Sequence, residues 1–174
     1  MYRLRKIPAI IILMMLIFTL FSCEKKEEGG FLRSLDAPAE MVIDGERNGV
    51  AFSAVINIGD GEGKITFTAP DSMSGICVRS AGGVWNCDFD GIKIAGISAE
   101  MLGTPLAPFL NIGAAFSAEK ITEADGKSLT LIVTENGKFE YYIDSKSGFP
   151  VRVIEKDAAG ATVMRFDIKD YVPK

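Results

Sequence analysis

From Ala39 onward the chain reads as short apolar runs cut by glycine-rich turns. Lys64-Ile65-Thr66-Phe67-Thr68 alternates cleanly, which puts Ile65 and Phe67 on one face of a strand. Met41-Val42-Ile43 and the run from Val50 to Ile58 predict two earlier strands, separated by the turn-dense segment Asp44 to Gly49. Gly59-Asp60-Gly61-Glu62-Gly63 predicts the next turn. No helical pattern follows those glycines, so a hairpin fits better than a phosphate loop. Pro70 ends the third strand, because proline cannot donate to a ladder. Met73 to Arg79 and Val84 to Phe89 predict a hairpin, and Ile92-Lys93-Ile94 a short return strand. The last third predicts a meander. Strands flank Asn136-Gly137, a strong hairpin signal, and then Asp157-Ala158-Ala159-Gly160, with Asp170-Tyr171-Val172 closing the final strand.

Residues 96–116 break this pattern, with one charge, Glu100, in an otherwise apolar and small-residue stretch. Ser98 can cap a short helix beginning at Ala99. Thr104 can cap a second, with Pro105 at its first position, where a missing N–H costs nothing. Leu106, Phe109 and Leu110 then share one side at helical spacing. A core helix closing the sheet and a lid over an apolar pocket both account for this composition.

The amino terminus carries a different signal. Arg3, Arg5 and Lys6 precede an apolar run from Ile7 to Phe21, then Ser22 and Cys23. That run of 15 residues is shorter than the roughly 20 needed to span a bilayer and suits the apolar region of a signal peptide. Leu20-Phe21-Ser22-Cys23 resembles a lipobox, in which the cysteine is acylated and begins the mature protein. The expected organisation is a signal peptide at 1–22, a flexible tether at 23–36 rich in charge and glycine, and one domain at 37–174. Cys23 is the expected lipidation site, with palmitate-type acyl chains anchoring the protein on the extracytoplasmic face of a membrane in the cell envelope. An uncleaved anchor helix and cleavage without lipid are the alternatives, and both also place the domain outside the cytoplasm.

Charge and composition then narrow the chemistry. The signal holds three of the 19 basic residues and none of the 23 acidic ones, which leaves the mature chain at −7. That sign argues against nucleic acid and makes the lipid, not headgroup attraction, the membrane partner. Histidine is absent, so Ser-His-Asp and Cys-His hydrolases are excluded. Asp88 and Asp90 are the nearest approach to a carboxylate pair, and a solvated hairpin end explains them. The expectation is a non-enzyme with no cofactor and no metal.

Cys77 and Cys87 remain as a pair in a disulfide-permissive compartment. A three-residue loop Ala81-Gly82-Gly83 would set Cys77 opposite Cys87 and Arg79 opposite Trp85, with a disulfide and a cation–π stack as consequences. A two-residue loop Gly82-Gly83 would set Cys77 opposite Asp88 and separate the thiols. The disulfide is the favoured expectation.

Phe139-Glu140-Tyr141-Tyr142-Ile143-Asp144, a turn, Gly148-Phe149-Pro150 and Val151-Arg152-Val153 form a strand, Asp, turn, Gly-x-Pro, strand motif. It resembles the signature near the end of LolA/LppX/LprG-like envelope proteins, and Asp167-Ile168-Lys169-Asp170-Tyr171 resembles their closing strand. The resemblance covers residues 139–172. It implies a mainly β (α+β) fold: a curved antiparallel half-barrel with the two short apolar helices packed on its concave face. It also implies an apolar ligand, a lipid or an acylated partner. The candidate lining residues are Met101, Leu102, Leu106, Phe109, Leu110 and Ile112 of the insert, with Phe67 and Phe139 of the strands. The alternative is a structural or sensory envelope protein with a filled core that binds another protein.

Overall fold

The computed structural model describes residues 37–97, 103–110, 116–123 and 126–174. The predicted signal peptide, Cys23, the tether up to residue 36, the first predicted helix, Met101, Leu102 and Ile112 lie outside them.

Eleven antiparallel strands among the described residues form one sheet. They are β1 (Ala39–Arg47), β2 (Val50–Gly59), β3 (Glu62–Ala69), β4 (Cys77–Ala81), β5 (Val84–Phe89), β6 (Ile92–Ile97), β7 (Phe116–Thr122), β8 (Ser128–Thr134), β9 (Phe139–Asp144), β10 (Pro150–Lys156) and β11 (Thr162–Pro173). The order β6-β5-β4-β3-β2-β1-β11-β10-β9-β8-β7 is two meanders joined along one central seam, β1 against β11. The sheet does not close, and β6 and β7 are its edges. Residues 98–115 connect those two edges, and their described part carries one short helix, α1 (Ala107–Leu110).

Alternation decides the faces. β2 buries Phe52, Ala54, Ile56 and Ile58 and turns Ser53, Val55 and Asn57 outward. β1 buries Ala39, Met41 and Ile43 opposite them. The turn predicted at Asp44–Gly49 is shorter than its composition suggested. Asp44 and Glu46 point outward and Gly45 inward, so β1 continues to Arg47 and only Asn48-Gly49 turns. Both residues have positive φ, 49° and 82°, as a two-residue turn matched to strand twist requires. Two further strand segments escaped prediction. β6 runs on to Ile97, and β7 occupies Phe116–Thr122, where the composition carries no clear alternation.

The β4–β5 hairpin corrects the expected register. Gly82 and Gly83 both have positive φ, 56° and 79°, so the two-residue loop forms. Cys77 therefore faces Asp88, Val78 faces Cys87, and Trp85 faces Ser80 while Arg79 faces Asn86. One residue of shift sends the two thiols to opposite faces of the sheet. Cys77 and Cys87 are free, and neither the disulfide nor the Arg79–Trp85 stack forms.

Candidate functional site: the inner face of the sheet

The inner face is the one to which the strands point their apolar alternation, and α1 packs on it. Leu106 is fully buried, and a β-carbon at Gly63 of β3 would lie 2.7 Å from its Cδ1 and 3.1 Å from Leu110 Cδ2. Glycine is what lets the connection approach the floor there. Phe109 lies 6.0 Å, centroid to centroid, from Phe166 of β11. The Tyr141 hydroxyl of β9 donates a 2.7 Å hydrogen bond to the Pro108 carbonyl. Five strand spacings separate β3 from β9, about 24 Å on a flat sheet. Leu106 and Pro108 are at most about 7 Å apart along the chain. Contact with both strands from two such close residues requires the sheet to curl around the connection.

The local sequence explains how the connection is held. Thr104, buried, accepts from the Leu106 N–H through Oγ1 at 3.3 Å and from the Ala107 N–H through its carbonyl at 3.1 Å. Burial pushes the Tyr141 phenol well above its ordinary range, so it stays a protonated donor. Tyr141→Phe leaves the Pro108 carbonyl without that donor and is expected to cost about 1–3 kcal/mol in urea unfolding. The sign with pH follows from the raised folded-state value. The stabilisation is complete below the ordinary tyrosine value of about 10 and declines as pH rises above it. Tyr141→Phe should flatten that alkaline decline; an unchanged slope would contradict the assignment.

Of the candidate lining residues, Phe67, Leu106, Phe109 and Phe139 meet in one buried cluster, and Leu110 packs against it. Beneath α1 they fill space. The open part of the inner face lies elsewhere. Seven large apolar side chains are exposed among the described residues. Four of them, Val50, Phe89, Ile92 and Ile94, occupy inward positions by register. Phe89 is 40%, Ile92 66% and Ile94 53% exposed, and they continue the floor beyond Cys87 to the edge strand β6. Ile92-Lys93-Ile94 signals this alternation in the sequence, but only the register shows which face it joins.

Sequence reading also missed a polar group at the same end. Arg47 faces inward on β1, and its Nη1 donates to Glu155 Oε2 of β10 at 2.9 Å. Lys138 Nζ lies 3.6 Å from Glu155 Oε1 and 5.3 Å from the centre of the Phe139 ring. The Gly103 backbone packs on the Arg47 guanidinium so closely that a side chain there would collide with it. Arg47 and Glu155 are 108 residues apart, and no local spacing signals their pairing. The outer face carries its own ion pairs: Arg152 bonds Asp167 at 2.6 Å and Glu123 at 2.8 Å.

No family model matches the chain, and no curated protein matches it. Solved structures do share its fold. An uncharacterized conserved protein from Thermus thermophilus superposes with a TM-score of 0.57 at 12% identity, over 83% of this chain and 84% of that one. MucB superposes with a TM-score of 0.52 at 13% identity, over 83% of this chain; the match spans 56% of MucB. A LolA superfamily protein from Nitrosomonas europaea aligns over 83% of this chain and 92% of its own, at 10% identity and a TM-score of 0.45. At these identities the likeness is one of fold. An unclosed antiparallel sheet with α1 packed on its inner face agrees with the half-barrel that the carboxy-terminal motif implied.

Proposed function

We propose that this is a lipid-anchored envelope protein, tethered through Cys23 on the extracytoplasmic face of a membrane, that binds an acyl chain on its inner face and catalyses no reaction. One observation carries the reading: the apolar floor runs past the buried cluster and stays exposed at Phe89, Ile92 and Ile94. Burying such surface is worth about 0.8 kcal/mol per CH₂, so an acyl chain needs no charged motif for its affinity. The ligand lies along β5 and β6, with Phe67 and the buried residues of the connection forming the wall beside it.

Trp85, the single tryptophan, sits on the inner face of β5 and reports on this region. A dibrominated acyl chain should quench its fluorescence in the full-length protein held in amphipol. Ile92→Asp with Ile94→Asp should weaken that binding at least about tenfold and barely change Tm, because both side chains are mostly solvated already. Undiminished binding in the double variant would sink the assignment of the site.

A second reading has its own support. The connection packs directly on Gly63, as in a filled core, and β6, which carries one charge, Lys93, is an edge strand whose outer row of backbone groups has no partner strand among the described residues. MucB has been solved in complex with MucA. A protein partner adding a strand to β6 would protect the Ile92–Ile97 amides from hydrogen exchange, whereas an acyl chain on the inner face would leave their outward half exchanging.

A further inference from the structure

Resting on the acyl-chain reading, we propose that the ligand is an amphiphile whose anionic headgroup is held by Arg47 and Lys138 at the rim of the inner face. The inward-facing ladder positions of β1–β6 and β8–β11 are apolar, small or uncharged except at one place, where Arg47 meets Glu155. One carboxylate there serves two cations, so the group carries a net positive charge. Its layering matters as much as its sum. The Glu155 side chain is 12% exposed, Arg47 31% and Lys138 44%. The carboxylate is the most covered of the three and the Lys138 ammonium the most open, while the Gly103 backbone lies against the Arg47 guanidinium.

The chain as a whole is acidic, with net charge −4, so a net cationic group on the inner face runs against the general sign. It also shares its end of the sheet with exposed apolar side chains. Val50, cross-strand neighbour of Arg47, is 55% exposed on the same face, and the β1–β2 turn beside Arg47 and the β5–β6 turn beside Phe89 lie at one end of the sheet. Exposed apolar residues and a net cationic group at one end of a concave surface match the two halves of an amphiphile. The anion is an oxyanion, either a carboxylate or a phosphate, and the Lys138 ammonium, a three-donor cation 3.6 Å from Glu155 Oε1 and the most exposed of the three, is the group most open to it.

The test measures quenching of Trp85 in full-length protein in amphipol by four probes: 9,10-dibromostearate, its methyl ester, the lysophosphatidate of the same chain, and the monoacylglycerol. Each anionic probe is expected to bind about tenfold tighter than its uncharged counterpart. Lys138→Gln, which leaves the Arg47–Glu155 bond in place, should shrink that ratio several-fold without moving the affinity for the ester. Tighter binding of the lysophosphatidate than of the fatty acid would identify a phosphate headgroup, and the reverse a carboxylate. Equal binding of charged and uncharged probes would overturn the headgroup site while the acyl-chain reading stands. No quenching by any probe would overturn both.

Discussion

Gly45→Ala should destabilise this protein by about 3 kcal/mol or more, the upper end of what one added methyl does in a packed interior. Gly45 lies within β1, directly opposite Phe166 on β11 and Phe52 on β2. A β-carbon there would sit 2.5 Å from the Arg165 carbonyl oxygen and 2.5 Å from Phe166 Cβ, with Phe166 Cα at 2.9 Å. Those atoms cannot rotate out of the way; relief requires β1 and β11 to part. Among the described residues that seam is the only ladder joining the two meanders. Gly63→Ala is the informative comparison. Its closest obstacle is Leu106 Cδ1 at 2.7 Å, the end of a side chain, which can give at a cost of about 1–2 kcal/mol. Urea unfolding of the two variants should rank Gly45→Ala well below Gly63→Ala. Equal losses would mean that the seam tolerates separation and does not organise the sheet.

The same residue shows why part of this fold was legible in the chain and part was not. Strands with strict alternation, such as Lys64 to Thr68, were readable because a half-buried strand needs nothing else. Asp44 to Arg47 carries aspartate, glycine, glutamate and arginine, which composition reads as a turn. It is a strand because Gly45 admits the close approach of Phe166 and because Arg47 finds Glu155, both facts about residues more than 100 positions away. The Gly82-Gly83 hairpin was ambiguous by one residue. Two left-handed glycines resolve it in favour of the shorter loop, and that single step separates Cys77 from Cys87. Asn136-Gly137 marked a real hairpin but not its geometry. Only Gly137 has positive φ, and the Asn136 side chain instead accepts from the Lys138 N–H at 3.0 Å and from Thr134 Oγ1 at 2.9 Å. The apolar insert predicts two short helices; the second corresponds to α1, Ala107–Leu110, and the first lies outside the described residues. The open end of the inner face was not foreseen, because exposure depends on which strand ends up at the edge.

Phe166→Ala is expected to be the other severe substitution, at about 3–5 kcal/mol. Phe166 is completely buried on β11, and its ring packs against Phe109 of α1, so it couples the floor of the sheet to the connection above it. Removing the ring opens a cavity beneath α1 that the curled sheet cannot collapse to fill, since Gly45 beside it offers no side chain to move in. For a domain whose total stability is about 5–15 kcal/mol, that loss lowers Tm by roughly 10 °C or more. Phe109→Ala removes the same contact from the other side. The double variant should therefore fall short of the sum of the two losses by about 0.5–1.5 kcal/mol. Additive losses would show that the two rings do not depend on each other. The acyl-chain reading adds a second observable to the same variants. A cavity under α1 is a new apolar space on the same face of the sheet as the exposed floor, so a brominated chain that binds Phe166→Ala more tightly than the parent would have extended inward from Phe89. Unchanged affinity would confine the ligand to the β5–β6 end of the inner face.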